Sequence, residues 1–176
     1  YRDGTKLNTL PLSSRTNYLD AEGSVNSNYT VEALSAGKVV ETAVALVLEK
    51  GYLNIPLDRP QGGTVQGSSY TYTPGDASVG DVDGDGEYEI ILKWDPTNQC
   101  DNGQNGSQNY TGNVYLDCYK LNGTKLWRID LGVNIRAGAH YTQFMVYDLD
   151  GDGKAEVACK TAPGTIDGQG NHVIMG

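Results

Sequence analysis

One acidic pattern occurs twice in the chain, 67 residues apart: Asp81-Val82-Asp83-Gly84-Asp85-Gly86-Glu87-Tyr88-Glu89 and Asp148-Leu149-Asp150-Gly151-Asp152-Gly153-Lys154-Ala155-Glu156. The same offset relates Val79 to Val146 and Lys93 to Lys160. Each copy runs straight into a strand-like segment, Ile90-Ile91-Leu92-Lys93 or Val157-Ala158-Cys159-Lys160. Self-similarity at a period of tens of residues, with an all-β unit, marks the blades of a propeller. Closing such a ring takes about 4–8 blades. The expectation is therefore the first blades of a β-propeller, with the remaining blades missing and following Gly176.

So many like charges in a short loop repel unless a hard, oxygen-seeking cation sits among them, and calcium suits a flexible set of about 6–8 oxygens. An EF-hand would place a bidentate Glu at loop position twelve, where this chain has Leu92 and Cys159. The acidic residue comes instead at position nine, and a strand follows rather than a helix. The expected ligands are thus Asp81, Asp83, Asp85 and Glu89 with the Glu87 carbonyl, and Asp148, Asp150, Asp152 and Glu156 with the Lys154 carbonyl. Lys154 can turn its ammonium outward while its carbonyl faces the metal. The ion is expected to pin the strands rather than perform chemistry.

Elsewhere, short runs rich in Val, Ile, Tyr, Leu and Thr alternate with Gly, Asn, Asp and Pro. Strands are expected over Asn28–Leu34, Val39–Glu49, Glu89–Trp94, Asn113–Leu121, Lys125–Leu131, Gln143–Asp148 and Glu156–Thr161. Asn122-Gly123 is the strongest hairpin signal, both residues tolerating positive φ. Ala33–Leu48 has a helix-like look, but Val39, Val40 and Val44 favour strand. Pro56, Pro60 and Gly62-Gly63 mark a break, giving an N-terminal module over 1–58 and a propeller portion over 59–176. The module reads as an immunoglobulin-like sandwich lacking its first strands, or else as a complete smaller β unit, since a full sandwich takes ~100 residues.

The net charge of −9, with a sequence pI of about 4.5, argues against nucleic acid and anionic membrane surfaces as partners. No run is long and apolar enough to span a bilayer as a helix. Calcium loops this dense suit a secreted protein. Cys118 and Cys159 lie in strand-like runs and read as buried thiols, whereas Cys100 in a polar loop is open between free and bridged. Asn28, Asn109 and Asn122 head glycosylation sequons. The chain begins at Tyr1 without an initiator Met, so processing or fragmentation is expected to have removed its start.

The stretch from Ala77 to Gly170 resembles the rhamnogalacturonan lyases of polysaccharide lyase family 11. The carrying residues are Ala77–Ile90, Lys93-Trp94-Asp95-Pro96-Thr97-Asn98, Tyr110–Tyr115, Gly123–Gly132, Asn134–Phe144 and Lys160-Thr161-Ala162. The unbroken Arg136-Ala137-Gly138-Ala139-His140-Tyr141-Thr142-Gln143 is far more specific than the acidic loops. Tyr1–Lys6 through Tyr52–Leu57 is similar to that family's small β-sandwich. The resemblance implies an all-β chain: a fibronectin-like sandwich, then an eight-bladed propeller holding several calcium ions. It also implies β-elimination of rhamnogalacturonan I at galacturonate; calcium assistance is expected because an acidic protein must meet a polyuronate, and the protein is expected to be a monomer.

That reaction removes the C5 proton beside a carboxylate and expels the C4 oxygen, so cationic groups and a base are required. Asn98, Arg136 and His140 are the candidate substrate contacts, with Asp101 a further one near Asn98. Lys93 and Lys160 occupy equivalent positions and read as structural, while Trp94 and Trp127 read as buried. Cys100–Asn109 is longer than the family's usual loop. The proton-abstracting base is expected beyond Gly176. The competing reading is a non-catalytic, calcium-stabilised propeller for adhesion or carbohydrate binding.

Overall fold

The computed structural model describes residues 1–101 and 110–173. Residues 102–109 of the loop expected to be long, and with them the sequon residue Asn109, lie outside the described residues. All regular elements among the described residues are β-strands. The chain divides into two compact units, Tyr1–Asn54 and Ile55–Gly176.

In the first unit the helix-like stretch is a hairpin, β1 (Tyr29–Ser35) antiparallel to β2 (Lys38–Ala45). Ala36 and Gly37 between them both take positive φ, 49° and 77°. Two consecutive left-handed residues build the tight turn that matches strand twist, and no right-handed helix passes through them. β2 stops at Ala45, short of the expected Glu49. The Tyr1 backbone nitrogen donates to the Thr30 carbonyl at 2.8 Å, and the Thr30 N–H donates back to Tyr1 at 3.1 Å. Tyr1 thereby pairs with the edge of β1. Arg2 then pairs with Asp20 at 2.9 Å, and the Tyr29 hydroxyl donates to the same carboxylate at 2.8 Å.

The second unit opens with a short hairpin, β3 (Gly63–Val65) and β4 (Ser68–Tyr70). A four-stranded antiparallel meander follows: β5 (Tyr72–Gly80), β6 (Glu89–Pro96), β7 (Tyr115–Tyr119) and β8 (Lys125–Asp130). A second hairpin pairs β9 (Phe144–Tyr147) with β10 (Glu156–Cys159). β3, β4 and β5 were not among the expected strands. β5 carries Pro74 and Gly75, residues that strands admit at an edge or a bulge; it lies at the sheet edge, and its register slips between Pro74 and Ala77.

The 67-residue repeat is a repeat of register. Ala77, Ser78, Val79 and Gly80 pair with Leu92, Ile91, Ile90 and Glu89. Phe144, Met145, Val146 and Tyr147 pair with Cys159, Ala158, Val157 and Glu156. Each acidic loop closes one of these hairpins. The two hairpins meet at Gly80, where an added Cβ would come within 2.7 Å of the Ala155 Cβ and 2.8 Å of Val146 Cγ1.

Pleating places two different cores on the two faces of the meander. One face carries Val114 and Leu116, which pack with Leu131, Ile135 and Ala137 and are covered by Phe144, Val157 and Cys159 of the second hairpin. The other carries Tyr72, Leu92, Trp94 and Tyr119. Asp117 is fully buried on this aromatic face. It accepts from Trp94 Nε1 at 2.9 Å, from the Tyr119 hydroxyl at 2.6 Å and from two Arg128 nitrogens at 2.6 Å each. Arg128 is the cross-strand partner of Asp117, and both elevated donors fit the setting: burial pushes the Tyr119 phenol up to about 12, and the Asp117 hydrogen bonds raise the Arg128 guanidinium.

The Asn122-Gly123 turn differs from the expected form. Gly123 takes positive φ (87°) but Asn122 does not, and Gly123 donates to the Lys120 carbonyl while Lys120 donates to Thr124, both at 2.9 Å. These bonds, with the register slip at Cys118/Tyr119, make a three-residue connection ending in a glycine bulge. All three cysteines are free: Cys100 and Cys118 are buried and Cys159 is partly so. Burial pushes the Cys118 thiol up to about 12.

Two substitutions test this packing. Asp117→Asn strands a partly buried guanidinium and is expected to destabilise the full-length protein by about 3 kcal/mol, the low end for a broken buried pair because Arg128 keeps 25% exposure. The readout is the urea midpoint of the affected transition. Gly80→Val is expected to lose about 1–3 kcal/mol through overpacking between the hairpins, read from the same transition.

Candidate functional site

The loops fold by the same bonds. In the first, Asp81 accepts from the N–H groups of Gly84 (2.6 Å), Asp85 (3.2 Å) and Gly86 (2.9 Å), and Asp85 accepts from Glu87 at 2.9 Å. In the second, Asp148 accepts from Gly151 (2.7 Å), Asp152 (3.1 Å) and Gly153 (3.0 Å), and Asp152 accepts from Lys154 at 2.8 Å. The position-nine glutamates close each loop at its start, Glu89 accepting from Val82 at 2.9 Å and Glu156 from Leu149 at 2.8 Å. A backbone bond joins the loops: Ala155 N–H donates to the Asp81 carbonyl at 2.7 Å.

Carboxylate oxygens of Asp81, Asp83 and Asp85 lie within 4.8 Å of one another, as do those of Asp148, Asp150 and Glu156. Three of the four expected carboxylates thus converge in each loop, with Glu89 standing apart in the first and Asp152 in the second. The donor set is all hard oxygen, the chemistry that calcium takes. In the second loop no Lys, Arg or His ion-pairs with these carboxylates among the described residues. In the first, the Lys120 ammonium stands 2.6 Å from both Asp83 and Asp85 and 3.6 Å from Glu89. Hydrogen bonds to Asp83 and Asp85 raise the Lys120 pKa, and the bond from Lys120 lowers that of Asp85. The Lys154 stem crosses to the first loop, where its Cε would meet a Cβ on Gly84 at 2.6 Å.

The candidate sugar contacts gather at the connections after β6 and β8. Asn98 Oδ1 accepts from Gly112 N–H at 3.0 Å, while its buried Nδ2 has no partner among the described residues. The Cys100 N–H donates to the Ala137 carbonyl at 3.0 Å, bringing the Arg136–His140 string against the Asp101 turn. His140 Nδ1 lies 3.1 Å from Asp101 Oδ2, and the imidazole remains 76% exposed. The Arg136 guanidinium lies 6.0 Å from the Tyr141 ring centroid, a cation–π contact. Gly138 fits tightly there: a Cβ would meet Asp101 Oδ1 and the Cys100 carbonyl at 2.8 Å each.

Trp94 is buried and Trp127 packs against the Val114–Leu116 core. Lys93 is buried and pairs with Asp76 at 2.5 Å, whereas Lys160 lies just past β10 and is exposed. The two lysines match in sequence but not in surroundings. Burial raises the pKa of nearby Asp95.

Sequence reading overlooked Lys120 and Asp117. Lys120 stands outside the acidic pattern, and only the pairing of Ile90 with Tyr119 reveals that the next pair along is Glu89 with Lys120. Asp117 had a visible signal, a lone carboxylate in Tyr115-Leu116-Asp117-Cys118-Tyr119.

Comparison with known proteins matches both units. Residues 52–175 fit the model of the rhamnogalacturonan lyase family 11 C-terminal domain, and residues 1–47 fit the β-sheet domain of rhamnogalacturonan I lyases. The chain is 63% identical over 175 residues to the rhamnogalacturonan endolyase YesW of Bacillus subtilis (strain 168), covering 98% of this chain and 28% of that protein. It is 57% identical over 176 residues to the exolyase YesX of the same organism, covering 99% and 28%. The YesW crystal structure superposes with a TM-score of 0.90 at 62% identity, over 98% of this chain and 29% of that one. A Bacillus licheniformis rhamnogalacturonan lyase gives 0.89 at 58%, over 98% and 30%. The chain therefore spans less than a third of the relatives it matches. With a family domain matched over most of its length, the chain belongs to rhamnogalacturonan lyase family 11.

Proposed function

We propose that this chain is part of a secreted pectin-degrading lyase, one that cleaves rhamnogalacturonan I by β-elimination at galacturonate with calcium held in its acidic loops. The observation that carries the reading is that nearly the whole chain, both units included, matches rhamnogalacturonan endo- and exolyases at 57–63% identity. The β5–β8 meander has the four strands of one propeller blade, and the equivalent register of β9–β10 reads as the opening of the next.

Asp81, Asp83, Asp85 and Glu89 with the Glu87 carbonyl, and Asp148, Asp150, Asp152 and Glu156 with the Lys154 carbonyl, are the residues that would hold the ions. Bound calcium supplies divalent charge that draws these carboxylates together and offsets part of the chain's net −9. Arg136 is placed to pair with a uronate carboxylate. His140, held by Asp101, presents an exposed ring to sugar hydroxyls. Asn98 positions Gly112 and so sets the path of the chain beside them. These groups bind and orient an anionic sugar, and proton removal from C5 is left to other parts of the full-length protein.

Full-length protein incubated with rhamnogalacturonan I and calcium is expected to raise the absorbance of unsaturated uronate. A folded sample giving no rise would sink the lyase reading. Arg136→Ala is expected to weaken turnover at low substrate on the order of tenfold, the loss of one charged hydrogen-bonded pair. Chelation is expected to lower the melting temperature by on the order of 5 °C or more, reversibly with calcium, and Asp148→Asn to abolish part of that increment.

A further inference from the structure

The two acidic loops have the same backbone bonds and the same aspartates, yet their electrostatic surroundings differ. Into the first projects an ammonium that contacts two carboxylates at 2.6 Å and faces a third at 3.6 Å. Among the described residues no Lys, Arg or His ion-pairs with Asp148, Asp150, Asp152 or Glu156. Lys120 is not a loose surface lysine swinging toward a nearby charge. Its backbone is bonded on both sides of the β7–β8 turn, donating to Thr124 and accepting from Gly123 at 2.9 Å each. The strand register sets it one step beyond the Ile90–Tyr119 pair, beside the buried Glu89. Its side chain is 26% exposed.

We propose that Lys120 is the built-in cation of the first loop, so that Asp148–Glu156 requires calcium while Asp81–Glu89 admits it only by displacing the ammonium. This rests on reading both loops as calcium loops. An ammonium brings three donors and one charge, whereas calcium brings two charges and asks for about 6–8 oxygens. Asp83 and Asp85 cannot serve both at once, because two cations sharing the same carboxylates repel at close range. The first loop consequently holds its shape without metal, and the second depends on the ion.

The test uses the full-length protein stripped with a chelator and titrated with calcium by calorimetry. Lys120→Met removes the charge and keeps an apolar stem. It is expected to add one tight site, or to tighten a weak one by at least about tenfold. It is also expected to melt lower than wild type in chelator and to gain more from calcium. Asp81→Asn placed on Lys120→Met should remove the gained site, and Lys120→Arg, which keeps the charge, should titrate like wild type. If Lys120→Met leaves the number and affinity of sites unchanged while Asp148→Asn loses one, the role given to Lys120 is wrong and the calcium reading stands. If Asp148→Asn also changes nothing, the calcium reading fails and takes the proposal with it.

Discussion

Asp81 and Asp148 each gather three backbone N–H groups from the residues that follow them, and the second unit is organised around the shape this imposes. A chain so tightly wound returns the residue at position nine to the start of the loop, where Glu89 and Glu156 accept from Val82 and Leu149. The return sets the register of the flanking strands, and that is why the two hairpins pair residue for residue at the same offset. The Ala155–Asp81 backbone bond and the contact at Gly80 then bring one hairpin against the other. Side chains on strands fixed in this way have little choice of face, and the two cores follow.

The same carboxylates create an electrostatic problem that the fold addresses unevenly. The chain carries a net −9, and its proposed substrate is itself an anion. Cations must therefore be distributed with economy. Lys120 stands in one acidic loop, Arg128 in the aromatic core beside Asp117, and Lys93 under Asp76. Arg136 faces Tyr141 at the connection that also carries His140 and Asp101. Arg136 is the cation proposed to meet a sugar carboxylate.

Much of this architecture was legible in the residues. The acidic loops, their ending at position nine and the strands on either side of them all follow from spacing, because a period-two strand and a nine-residue turn leave little freedom. The aromatic and β-branched strands β6, β7 and β8 were equally plain. β3, β4 and β5 were not, because Gly, Ser, Pro and Asp interrupt their few Thr, Val and Tyr residues before a strand-length run can build. The Asn122-Gly123 turn was placed correctly but typed wrongly, since the bonds of Lys120 to both ends of the turn favour the bulged form. Lys120 and Arg128 escaped notice for one reason: each acts across a strand pair, and a partner in the next strand is invisible until the register is known. Lys93 and Lys160 show the converse, sequence equivalence without equal surroundings.

The approach to the meander is also tied down. Asp58 receives the Tyr119 hydroxyl as acceptor for its N–H at 3.0 Å, Arg128 donates to its carbonyl at 2.6 Å, and its carboxylate pairs with Lys125. Pro56 lies where a side chain on Gly123 would have to go. Tension on the chain at Ile55 would therefore not begin by peeling β3. It would load the β7–β8 hairpin through Asp58, distributing force over a carboxylate pair, a guanidinium and a phenol anchored on the fully buried Asp117. In mechanical terms this short segment is a clamp.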